Sequence, residues 1–135
     1  MKKNLEKIFY PVIFHIEENG YSTFVPDLDG CFSQGDDMSQ AVAMTQEAIG
    51  LMLEEYLERS EELPKPSKIE KIKKDKNDFV VMVEFDPVKY LEQNSNKAVK
   101  KTLTIPNWLN VIAEKNKLNF SQILQKAIRQ ELNIN

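Results

Sequence analysis

The sequence predicts an α+β chain: a β-β-β-α-β lobe, then a smaller strand-helix-helix unit that completes itself only as a dimer. Three observations carry this. Two β-branched and aromatic runs flank Asn19-Gly20, and Asn and Gly tolerate the positive φ of a tight hairpin turn. After Asp37, apolar residues recur at spacings of three and four, the mark of one buried helix face. The last forty residues, 96–135, hold one short alternating stretch and two short helical patterns, too little to bury an apolar face alone.

The elements follow in order. Tyr10 to Glu17 reads as the first strand and Tyr21 to Val25 as the second. Pro26 to Gly30 breaks the pattern, and Cys31 to Gly35 reads as a short third strand. Asp37 caps a helix, with Gln40 placed to complete a capping box. Its apolar face is Met38, Val42, Thr45, Ile49, Met52, Leu53 and Tyr56, and it ends near Leu63-Pro64. Lys65 to Asn77 is a Lys-rich surface connection. Asp78 to Phe85 is the strongest strand pattern, apolar enough to be expected in the middle of a sheet. Asp86-Pro87 ends it, and Val88 to Lys97 reads as a second connection. The domains expected are therefore a lobe at 1–90, a linker at 91–98 and the terminal unit at 99–135.

Of the 135 residues, 41% are hydrophobic and 29% charged, which suits a folded protein and excludes a disordered one. Cys31 is the single cysteine, so no internal disulfide forms. With no apolar leader after Met1-Lys2-Lys3 and no run near the ~20 residues of a membrane span, a soluble cytoplasmic protein is expected. The net charge of -3 hides a split. Residues 8–63 hold twelve Asp/Glu and one base, Arg59, a balance of -11. Residues 96–135 hold seven Lys/Arg and two Glu, a balance of +5. The acidic end suits a cationic protein and the basic end a polyanion.

In the terminal unit, Leu103 and Ile105 fall on one strand face; Lys100, Thr102 and Thr104 fall on the other. Pro106 pre-sets φ for a helix carrying Trp108, Leu109, Ile112 and Ala113, and Asn119 caps a second with Ile123, Leu124, Ala127 and Ile128. Pairing the strand with that of a second copy makes an antiparallel ribbon. Its core is Leu103, Ile105, Trp108, Ile112, Ile123 and Ile128. The polar face of such a ribbon fits the DNA major groove, with threonine hydroxyls and Lys100 facing base edges or phosphate. The second helix's N-terminus, at Asn119, Phe120 and Ser121, offers free N–H groups to a phosphate. Trp108 early in its helix reads as dimer core more readily than as a recognition residue.

This order of strand, Pro106, helix, turn with Leu118 and Asn-capped helix resembles the ribbon-helix-helix fold of dimeric bacterial repressors. Lys101, at an inward strand position, and Phe120, at a usually polar one, depart from it. Tyr10-Pro-Val-Ile-Phe, Gly20 to Leu28, Gly30-Cys31, Gly35-Asp36 and the long helix resemble the HicB antitoxin family. Asp29 stands where that family has proline in Asp-Leu-Pro-Gly-Cys. The resemblance implies a lobe with a partial ribonuclease H-like fold that binds and blocks a small basic ribonuclease toxin, HicA. It also implies a tail that represses the operon of both, as a homodimer or a higher even-numbered oligomer. Toxin-facing candidates are Asp27, Asp29, Glu54 and Glu58.

Rival readings are a free-standing repressor whose lobe senses a ligand or oligomerises, and a metal-dependent nuclease. Asp27, Asp29, Asp36 and Asp37 could supply carboxylates for two metal ions. Yet Asp27 and Asp29 sit in a Pro-Gly turn and Asp37 is explained as a cap. A single His15 and Cys31 are too few for zinc, so neither metal, cofactor nor catalysis is expected. His15 reads as a half-exposed sheet residue, and Cys31 as a packed small hydrophobe. The lysines at 65–76 read as a solvated loop, because acids interrupt them and no aromatics interleave.

Overall fold

The computed structural model describes residues 6–134. The chain divides into two compact units after Ser95. The first holds strands β1 (Ile8–Glu17), β2 (Gly20–Phe24), β3 (Phe32–Gly35) and β4 (Phe79–Phe85), with helices α1 (Met38–Glu58) and α2 (Pro87–Asn94). The second holds α3 (Asn107–Lys115) and α4 (Phe120–Glu131).

The four strands form one antiparallel sheet in the order β3-β2-β1-β4. The hairpin forms where Asn19-Gly20 places it: Gly20 pairs with Glu17 at a φ of +109°, which favours glycine. β4 is not a central strand. It pairs with β1 alone and forms the sheet's other edge. Its apolar run has a different cause: Val81, Val83 and Phe85 turn to the core, while Val80 and Met82 lie on the opposite face.

One face of the sheet is covered by α1. Tyr10, Val12 and Phe14 of β1 pack with Ala41, Ile49 and Leu53 of α1 and with Val25, Leu28, Cys31, Val83 and Phe85. The helix face is rotated slightly from the expected one. Ala41, Thr45, Ile49, Gly50 and Leu53 are buried, and Met38 is exposed because it is the first helical residue, at the sheet's rim. Thr45 is at home there: its hydroxyl meets Thr23 Oγ1 at 2.8 Å and donates to the Ala41 carbonyl at 2.6 Å.

Asp37 caps α1 as expected, accepting from Gln40 N at 2.8 Å. Gln40 Oε1 accepts from Asp36 N, one residue before the cap. α1 ends at Glu58, earlier than Leu63, because Ser60 turns left-handed (φ 55°). Ser60 N then donates to the Leu57 carbonyl and Glu61 N to that of Tyr56. Ser60→Gly should therefore raise lobe stability by about 1 kcal/mol, read as a higher urea midpoint with an unchanged slope.

Val88 to Asn94 is a helix rather than part of a connection. Asp86 caps α2 by accepting from Lys89 N at 3.1 Å, and Pro87 occupies its first turn. α2 docks on α1 through Tyr90, whose ring lies where a Cβ on Gly50 would stand, 2.1 Å from Cε1. The lobe thus continues past residue 90.

In the second unit, α3 and α4 form where the sequence places them. Lys117 is left-handed (φ 54°), with Lys117 N donating to the Glu114 carbonyl and Leu118 N to that of Ala113. Asn119 Oδ1 accepts from Gln122 N at 3.0 Å. The expected strand at 99–105 forms no ladder within the chain, and residues 97–106 are exposed. A strand is held by a neighbour, and among the described residues of one chain it has none.

Candidate partner-binding surfaces

The lobe presents two unlike faces. Asp36, Asp37, Glu47, Glu54, Glu55, Glu58, Glu61 and Glu62 lie on α1 or at its ends, so this layer carries eight of the twelve acids of residues 8–63. Of the four toxin-facing candidates, Glu54 and Glu58 are on this layer. Glu54 Oε2 accepts from Tyr90 Oη at 3.3 Å, and the Tyr90 hydroxyl is held above its ordinary pKa, by burial first and by Glu54 second. Asp29 is exposed in the turn after β2. Asp27 is taken up within the lobe: its carboxylate accepts from Ser67 N at 3.0 Å and Ser67 Oγ at 2.5 Å. It holds the α1–β4 connection against the turn. Tyr10 Oη helps, donating to the Pro64 carbonyl at 2.5 Å.

The nuclease constellation does not converge. The Asp27 carboxylate is bound to Ser67 and that of Asp37 caps α1, while Asp36 contributes its backbone N–H to Gln40. Among the described residues, no group of three or more His, Cys, Asp or Glu is placed to hold a metal ion. Cys31 is buried, and burial pushes its thiol up to about 11, so little thiolate exists at neutral pH.

The opposite face of the sheet is open, and the sequence did not point to what gathers there. A groove of about 640 Å³ lies between β1, β2, β3 and the 73–78 stretch of the connection. Its floor includes Ile13, Phe24 and Phe32. The rings of Phe24 and Phe32 stack at 4.8 Å between centroids. Lys73, Lys74 and Asp75 line it from the connection. His15 and Asp78 close one end, with His15 Nδ1 2.6 Å from Asp78 Oδ1. The alternation on β2 and β3 was legible, but their pairing (Phe24 opposite Phe32) sits in the register, which only the fold supplies.

The Asp78 hydrogen bond, with its charge, raises the His15 pKa above the usual 6.5. The contact therefore favours the folded lobe fully below pH 6.5 and fades as pH climbs through the raised value. His15 should titrate above 6.5 by NMR, and Asp78→Asn should return it towards 6.5. An unchanged titration in that variant would show that Asp78 does not hold the ring.

In the second unit the side chains expected in a dimer core are exposed in the single chain. Leu103 is 58% and Trp108 65% exposed, and Ile105, Ile112, Ile123 and Ile128 are exposed too; among the unit's described residues only Ala113 is buried. Lys100, Thr102 and Thr104 are exposed along the same extended segment. At the start of α4, Asn119 is used as the cap, Ser121 Oγ accepts from Gln125 Nε2 at 3.1 Å, and Phe120 is exposed.

Residues 10–128 match the model of the HicB-like antitoxin of bacterial toxin-antitoxin systems, a span that includes both units. The chain belongs to the HicB-like antitoxin family. It is 38% identical over 101 residues to a 14.9 kDa protein of the rep-hol intergenic region of Haemophilus phage HP1, covering 73% of this chain and 74% of that one. A toxin-antitoxin complex from Streptococcus pneumoniae contains a chain similar to it at 30% identity and a TM-score of 0.58, covering 93% of this chain and 99% of that one. The crystal structure of antitoxin HicB3 is similar at 27% identity and a TM-score of 0.54, covering 92% and 97%. The HicB likeness thus spans the open-faced lobe and the helical tail. Among the described residues, no helix is long and apolar enough to cross a membrane.

Proposed function

We propose that this HicB-like chain neutralises a cognate HicA-type ribonuclease toxin with its lobe and represses its own operon with a ribbon-helix-helix tail. The observation that carries the division of labour is the contrast between the units. The lobe closes a core of its own, whereas the tail leaves Leu103, Ile105, Trp108, Ile112, Ile123 and Ile128 in water. Exposure on that scale in so short a unit calls for a partner of the same kind. Strand pairing across a two-fold axis buries the apolar residues and leaves Lys100, Thr102 and Thr104 facing DNA. The charge split agrees: the acidic layer with Glu54 and Glu58, and Asp29 in the turn after β2, suit a basic toxin, and the tail at +5 suits a polyanion.

The test is a salt-series operator titration beside an RNA-protection assay with the co-purified toxin. Thr102→Ala and Thr104→Ala should each weaken the cognate operator by about 1–3 kcal/mol and reduce discrimination. Lys100→Ala should weaken binding to all sequences with a shallower salt slope if it holds phosphate, and to the operator alone if it reads guanine. Toxin protection should survive all three. Wild-type operator affinity in every variant would place the DNA surface elsewhere, and RNA cleaved despite excess wild-type chain would remove the antitoxin reading.

A further inference from the structure

The lobe's open sheet face has a chemistry that the proposed roles of the acidic layer and of the tail leave unused. Phe32 stacks on Phe24 yet is 66% exposed, so one side of a two-ring platform faces solvent. Lys73 and Lys74 flank that platform across the groove. In sequence no aromatic interleaves the lysine run; the fold brings Phe24 and Phe32 to it over some forty to fifty positions. Charge is sorted in the same sense. Eight of the lobe's nineteen acids lie on α1, which covers the far side of the sheet, or at its ends, while residues 65–77 hold six lysines and two acids. Asp75 interrupts the lysines, and Asp78 is taken up by His15 at 2.6 Å.

We propose that this face binds single-stranded nucleic acid, with a base stacked on Phe32 and the neighbouring phosphates held by Lys73 and Lys74. Exposed aromatic rings bordered by lysines are how sequence-tolerant single-strand sites work: every base has a π-face, and cations follow the backbone. A duplex cannot use the platform, because its bases are already stacked on one another. The site goes beyond the antitoxin reading and does not depend on it, since nothing in it involves the toxin or the tail.

The experiment is a titration of the full chain with a short oligouridylate, followed residue by residue by NMR and for affinity by anisotropy. Ring signals of Phe24 and Phe32 and side-chain signals of Lys73 and Lys74 should move, whereas double-stranded operator should move tail signals. Phe32→Ala should lower affinity for the oligouridylate about tenfold. Phe32 is too exposed for its loss to unfold the lobe, and Phe32→Tyr should retain binding. Lys73→Ala with Lys74→Ala should weaken binding and flatten its salt dependence. Oligouridylate shifts confined to residues 96–135, or unchanged affinity in both variants, would overturn the proposal. So would signals on this face that answer to the purified toxin and not to the oligonucleotide, which would make it a protein interface.

Discussion

Gly35→Ala should destabilise the lobe by about 3 kcal/mol, the upper end of what an added methyl costs in a packed site. A Cβ at this position would lie 2.2 Å from the nitrogen and 2.5 Å from the Cα of Ala41. Those are backbone atoms in the first turn of α1, so no rotamer change relieves the clash. The helix must move, and Ala41, Thr45 and Ile49 move with it out of the core. For a unit of this size the melting temperature should fall by more than about 10 °C. Gly30→Ala is the control. Its backbone is left-handed at +75°, but the nearest atom to a Cβ is Met52 Cε at 4.0 Å. Only the backbone cost of about 1–2 kcal/mol remains. If the two variants melted together, the close approach of β3 to α1 would not be what Gly35 serves.

Ile105→Ala should break the tail's pairing while sparing the lobe. In the single chain Ile105 is 45% exposed. On the proposed pairing it is buried twice, once from each copy. Truncating a buried isoleucine costs at least about 2 kcal/mol. Two copies make about 4 kcal/mol, or a thousandfold in the dimer dissociation constant. Analytical ultracentrifugation should show the variant dissociating at concentrations where the wild type does not. Operator affinity should fall with it, since a half-ribbon carries half of the base contacts. The lobe's thermal transition should stay where it is. A variant that sediments and binds operator like the wild type would show that Ile105 does not face a partner.

These variants sample what could and could not be read from the chain. Local features were legible because their causes are local. Asn19-Gly20 makes the hairpin, Asp37 and Asn119 cap their helices, and Pro106 opens α3, each within a few residues of its effect. α2 was missed although its signal was present: Asp86-Pro87 is a cap and a first-turn proline, and reading it as the end of a strand hid the helix behind it. The bond between Asp27 and Ser67 was not legible, because a carboxylate's charge says nothing of which group forty positions away it meets.

By itself the sequence determined the α+β class, the hairpin, the helix caps, the opposed charges of the two ends and the lack of a self-sufficient core in the tail. Each follows from periodicity, turn chemistry or composition, which act over a turn or a strand. Only the tertiary structure decided that β4 lies at the sheet's edge, since an apolar run looks the same whether strands or side chains cover it. It alone stacked Phe32 on Phe24, set both beside Lys73 and Lys74, and joined His15 to Asp78 across 63 positions. Those meetings depend on register and on the path of one connection around the sheet, and neither is written in the spacing of any one segment.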